Sequence, residues 1–145
     1  MDKKECALSC LRQNFNCAQS VLYAFAEEVG LEKETALKVS ACFGGGMKCG
    51  EACGAVTGAL MAIGMKYGSC TENDKTSNYL AYKKEIEFIG KFREKHGTIL
   101  CKELLGYDTS KPEEMQKAVQ EGLHITVCAK AIVNAVEITE ELLRT

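Results

Sequence analysis

One stretch limits what this chain can fold into more than any other: Phe43 to Gly68, FGGGMKCGEACGAVTGALMAIGMKYG. Four of its first eight residues are glycine, and from Ala52 to Met65 it runs without a charged side chain. That run is shorter than the roughly 17–25 residues a membrane-spanning helix needs. It therefore reads as the buried central helix of a globular fold, with a tight glycine turn at its head and Cys53 where it begins. Gly54 and Gly58, with Ala55, Ala59 and Ala62 beside them, make a small face that lets neighbouring backbones approach closely. Each interior glycine costs about 0.5–1 kcal/mol relative to alanine, which close packing must offset.

The rest of the chain reads as helices around that segment. Cys6, Ala7, Cys10 and Leu11 mark a short amphipathic helix over residues 2–12. Asn16 followed by Gln19 is a capping-box variant, and it starts a helix at Cys17 in which Val21, Phe25 and Val29 recur until Gly30. A third helix spans 32–42, the central one 51–67, and a long one runs from 75 to His96 with Tyr79, Tyr82, Ile86, Ile89 and Phe92 on one stripe. Thr98 caps a short helix ending at Gly106; Ser110, Pro112 and Glu113 form a capping box; Thr126 starts a last helix with Ile132, Ala135, Ile138 and Leu142 inward. No stretch alternates with period two for long. The fold class is all-α, a single domain over residues 1–145 built as a bundle of six to eight helices.

Nine cysteines in 145 residues set the chemistry. The N-terminus, MDKKECALSC, has no apolar core of a secretory signal, which points to a cytoplasmic, reducing home. There the thiols serve metal, cluster or redox chemistry rather than permanent bridges. A net charge of -2 leaves no footprint for nucleic acid or an acidic membrane surface. Cys17, Cys53, Cys101 and Cys128 each fall in the first turn of an expected helix. Free N–H groups and the helix dipole favour a thiolate there.

The order Asn16-Cys17-Ala18-Gln19-Ser20-Val21, then Cys53-Gly54-Ala55-Val56-Thr57-Gly58 after Phe43-Gly44-Gly45-Gly46, then Cys101-Lys102-Glu103-Leu104-Leu105-Gly106, then Cys128, resembles the redox-active family named C_GCAxxG_C_C. This chain exchanges the glycine and cysteine of the family's Gly-Cys-Ala. The resemblance spans residue 15 to about residue 140. It implies redox activity, carries the four cysteines across as an iron–sulfur ligand set, and implies no substrate. On physical grounds alone, four thiolates from four helix starts suit a tetrahedral Zn²⁺ or an iron–sulfur cluster, and the spacings choose between neither.

Three readings follow. In the first, Cys17, Cys53, Cys101 and Cys128 hold an iron–sulfur cluster or a metal for electron transfer with a redox partner protein. In the second, Cys53 attacks disulfides and Cys17 or Cys49 resolves. In the third, the cysteines are packing residues of a structural or partner-binding bundle. Cys42 is expected to pack and Cys70 to be exposed. His124, four residues before Cys128, is a candidate substitute ligand, and His96 a helix C-cap. Gly44–Gly46 lack the Lys-Ser/Thr of a phosphate loop and read as a turn. The small Gly54–Gly58 face suits packing within the chain or across a homodimer.

Overall fold

The computed structural model describes residues 2–144. These form eight α-helices: α1 (Lys3–Arg12), α2 (Cys17–Phe25), α3 (Lys33–Ser40), α4 (Gly54–Tyr67), α5 (Lys75–His96), α6 (Cys101–Leu105), α7 (Pro112–Gln120) and α8 (Ala129–Arg144). A 3₁₀ turn follows α3, and five-residue π turns cover Gly46–Gly50 and His124–Cys128. The only extended pairing among the described residues is a single antiparallel bridge between Ala52 and Leu100. The all-α class read from the sequence stands.

Helix α4 is central, and its small face explains why. A Cβ on Gly58 would lie 2.6 Å from the Ala18 carbonyl oxygen and 3.1 Å from its Cα. One on Gly54 would lie 2.8 Å from the Ala18 nitrogen and 3.0 Å from the Cys17 Cβ. The two helices therefore meet backbone to backbone where both begin. Around this contact Val21, Leu22 and Phe25 of α2, Phe88 and Phe92 of α5, and Ile132, Val136 and Leu142 of α8 close the core. Each such side chain contributes about 1.5–3 kcal/mol by leaving water.

The start of α2 is fixed as its sequence predicts. Asn16 Oδ1 accepts from the Gln19 N–H at 2.9 Å and Gln19 Oε1 accepts from the Asn16 N–H at 3.0 Å. At the other end of the molecule, the last carbonyls of α8 are capped from its neighbours. The Tyr67 hydroxyl and the Lys84 ammonium donate to the Leu142 carbonyl at 3.1 and 3.0 Å, and the Lys66 ammonium to that of Leu143. Cations at a helix C-terminus also favour its dipole.

Several sequence expectations change. The α5 stripe holds at its C-terminal end, where Phe92 is buried and Ile89 packs against the core, but not at its N-terminal end: Tyr79, Tyr82 and Ile86 are 78%, 56% and 71% exposed, and Ala81, Lys84 and Phe88 face inward instead. Lys84 can occupy that face because its long stem packs while its ammonium reaches Leu142 and lies 5.3 Å from the Tyr67 ring centre. Ser110 does not cap α7; its hydroxyl donates to Asp108 at 2.6 Å, Lys111 takes the cap position, and Glu114 accepts from the Asp108 N–H. His96 is no C-cap, since its Nε2 faces Asn134 at 2.9 Å and its ring lies on Phe92. Cys42 is exposed rather than packed; Cys70 is exposed as expected. Among the described residues no single helix is long and apolar enough to cross a membrane.

Candidate functional site

Cys17, Cys53, Cys101 and Cys128, far apart in sequence, line one cavity of about 720 Å³. Each is delivered by a different local device. Cys17 is the first residue of α2, behind the Asn16 cap, and Asn16 Nδ2 also donates to the Ala41 carbonyl at 2.9 Å, tying this corner to the end of α3. The glycine contact just described then sets Cys17 against the start of α4.

Cys53 and Cys101 are positioned together. Flanking the Ala52–Leu100 bridge, the Cys53 N–H donates to the Ile99 carbonyl and the Cys101 N–H to the Glu51 carbonyl, both at 2.7 Å. Cys53 is the N-cap of α4 and Cys101 the first residue of α6. One bridge thus holds two helix starts side by side. Sequence reasoning missed it, because a pairing this short has no periodicity to read.

Cys128 ends the π turn His124–Cys128 that runs into α8. The wider turn brings the His124 Nδ1 to 3.6 Å from the Cys128 sulfur. Such single π turns inside helices often mark functional positions. His124 joins the cavity lining, as its sequence position suggested.

The glycine-rich loop closes the remaining side in an unusual conformation. Gly45, Gly46, Met47 and Lys48 are all left-handed, with φ of 64°, 62°, 60° and 61°. For Met47 and Lys48 this costs roughly 1–2 kcal/mol per residue. The Gly46 carbonyl accepts from the Glu51 N–H at 3.1 Å, and a Cβ on Gly46 would lie 2.4 Å from that nitrogen. The result is that Gly45 and Lys48 line the cavity while Cys49 does not. Cys49 is exposed, and its thiol donates to the Gly46 carbonyl at 3.3 Å.

Electrostatics separates the four thiols. Burial pushes Cys53 up to about 12, although the Ala55 and Val56 N–H groups at the helix start pull it down. The electropositive helix end is therefore present but outweighed by burial, which favours the thiol over the thiolate. Burial, with the charge of Cys128 second, raises Cys101 to about 11. Cys17 and Cys128 act on each other: Cys17 is raised well above an ordinary thiol and Cys128 drawn well below one, by their mutual interaction first and, for Cys128, by His124 after it. His124 is raised in turn by its bond to Cys128. The lowered thiol of the set is thus Cys128, for reasons of its neighbours rather than of a helix start.

The donor set can be tested against the groups it could hold. Among the described residues no three His, Cys, Asp or Glu side chains converge as a site for one metal ion. Four cysteines lining one cavity are the donor type that both zinc and iron–sulfur clusters take. Burial favours the protonated form at Cys53 and Cys101, and a bound cation would favour the thiolate there instead.

The family model described as "Putative redox-active protein (C_GCAxxG_C_C)" matches residues 15–142. The chain belongs to this family. No curated protein and no solved structure matches it.

Proposed function

Taking that membership as the premise, we propose that this protein is an electron-transfer protein whose Cys17, Cys53, Cys101 and Cys128 hold an iron–sulfur cluster. The observation that carries the reading is that all four cysteines, drawn from four separate elements, line one cavity. When bound, such a cluster takes up and returns one electron, with a redox partner protein as donor and acceptor. The chain's own residues bind and shield it: the Ala52–Leu100 bridge sets Cys53 beside Cys101, the Asn16 cap orients Cys17, and His124 lies against Cys128.

Anaerobic purification followed by iron, zinc and sulfide analysis tests this. Iron and sulfide in the wild type, sharply reduced in Cys53→Ala, support it; metal-free protein in both refutes it.

A second reading rests on Cys17 and Cys128 lining the same cavity with His124 against Cys128, which is held below an ordinary thiol while Cys17 is held above one. In a dithiol mechanism the Cys128 thiolate attacks a substrate disulfide, displacing one sulfur as a thiolate. Cys17, after giving up its proton, then attacks the mixed disulfide, forming the Cys17–Cys128 bond and releasing the second substrate sulfur as a thiol. Compared with the sequence reading, Cys17 keeps the resolving role and the attacking thiol becomes Cys128 in place of the buried Cys53, while Cys49 lies outside the cavity. Mass spectrometry after diamide oxidation distinguishes it: a Cys17–Cys128 disulfide in cluster-free native protein supports the dithiol reading.

A further inference from the structure

At about 720 Å³ the cavity has the size of a small-molecule pocket, and much of its wall is not sulfur. Leu8 and Leu11 of α1, Leu104 and Leu105 of α6 and Met115 of α7 make an apolar wall. Arg12, Lys48 and His124 also line the cavity, and each is an exposed residue, which puts them at its mouth.

The charge at that mouth is one-sided. No Asp or Glu lines the cavity, in a chain with 20 acidic and 18 basic side chains. Elsewhere on the surface Lys3, Lys38, Lys91 and Lys111 each face a glutamate within 4.0 Å. Lys48 forms no ion pair among the described residues, and Arg12 has only Glu5 at 3.7 Å. Lys48 is also carried into the lining by the left-handed run from Gly45 to Lys48, a conformation that side chains other than glycine rarely adopt. Backbone strain of this kind concentrates at ligand clamps and active sites.

We propose that the cavity binds a small amphipathic organic anion beside the cysteines, with its apolar body against Leu8, Leu11, Leu104 and Met115 and its carboxylate at Lys48 and Arg12. The substrate class is a medium-chain or aromatic carboxylate. The proposal rests on the reading of this cavity as the redox centre only for the relevance of the thiols beside the anion; binding itself follows from the apolar wall and the cationic mouth.

The test uses the full chain purified anaerobically, with 1-anilinonaphthalene-8-sulfonate as fluorescent probe and octanoate or 1-octanol as competitor. The expected result is one probe per chain, displaced by octanoate at about tenfold lower concentration than by 1-octanol. Lys48→Met weakens octanoate about tenfold, the range for one charged hydrogen bond, while Lys48→Arg restores it and Lys38→Met on α3 changes nothing. Equal competition by octanoate and 1-octanol, or a Lys48→Met variant that binds octanoate as the wild type does, overturns the proposal. Iron and sulfide are measured on the same samples. Metal-free protein that binds octanoate through Lys48 refutes the cluster and keeps the anion site; iron-loaded protein with no saturable probe binding does the reverse.

Discussion

Replacing Gly58 by alanine sets two opposed effects against each other, and the structure decides which wins. In an open helix the change stabilises by about 0.5–1 kcal/mol, through backbone entropy and helix propensity. Here the new methyl group would lie 2.6 Å from the Ala18 carbonyl oxygen and 3.1 Å from the Ala18 Cα. Ordinary contacts between such atoms are about 3.5–4.0 Å, so α2 must retreat from α4 by close to 1 Å. The obstacle is backbone, which cannot rotate aside, and overpacking of this kind costs about 1–3 kcal/mol. The expected net loss is about 1 kcal/mol, within about 0–2.5. Because Cys17 precedes Ala18, the same retreat draws one sulfur away from the other three, and iron content falls with stability. Gly64→Ala is the internal control: it lies on the same helix, is exposed, and a Cβ there meets nothing within 4 Å. It should gain about 0.5–1 kcal/mol and keep its iron. Urea unfolding of the metal-free proteins and iron analysis of the loaded ones provide the readouts. If Gly58→Ala is as stable and as iron-rich as Gly64→Ala, the backbone contact does not position Cys17.

Other outcomes follow from the same structure. Asn16→Ala removes the α2 capping box and the bond to Ala41, and should cost about 1–2 kcal/mol in urea unfolding. In metal-free protein near pH 6.5, iodoacetamide should label Cys128 ahead of the exposed Cys42, Cys49 and Cys70, and His124→Gln should shrink that lead, as read by peptide mass mapping. Cys10 is raised to about 11 by burial first and Cys6 second. A raised thiol adds stability that is complete below its unfolded value, about 8.5, and is lost as pH rises through 11. Cys10→Ala should therefore flatten the decline in urea stability between pH 9 and 11.

What the sequence made legible is what local chemistry determines. Asn16 and Gln19 spell a cap, and the cap forms with Cys17 as the first helical residue. The charge-free run from Ala52 to Met65 spells a buried helix, and its glycines mark the contact with α2. Non-local or exceptional features were hidden. The bridge that pairs Cys53 with Cys101 joins residues 48 apart through two backbone bonds and leaves no pattern in side chains. The left-handed Met47 and Lys48 break the rule that such positions belong to glycine, so three glycines drew attention to the turn and away from the lysine it presents. The N-terminal part of the α5 face was misread because Lys84 looks like a surface residue, yet its stem packs and its ammonium caps α8. The helix-start argument for thiolates singled out four cysteines that the fold brings to one cavity, while burial, a property of the whole fold, reversed its sign at Cys53 and Cys101.

The central claim is that these four sulfurs surround a redox cluster, and an anaerobic visible spectrum taken before and after dithionite addresses it in a single cuvette. The expected result is a broad visible absorption that bleaches on reduction and is lost in Cys17→Ala, Cys53→Ala, Cys101→Ala and Cys128→Ala. A colourless wild-type protein, or a colour that survives all four substitutions, contradicts it.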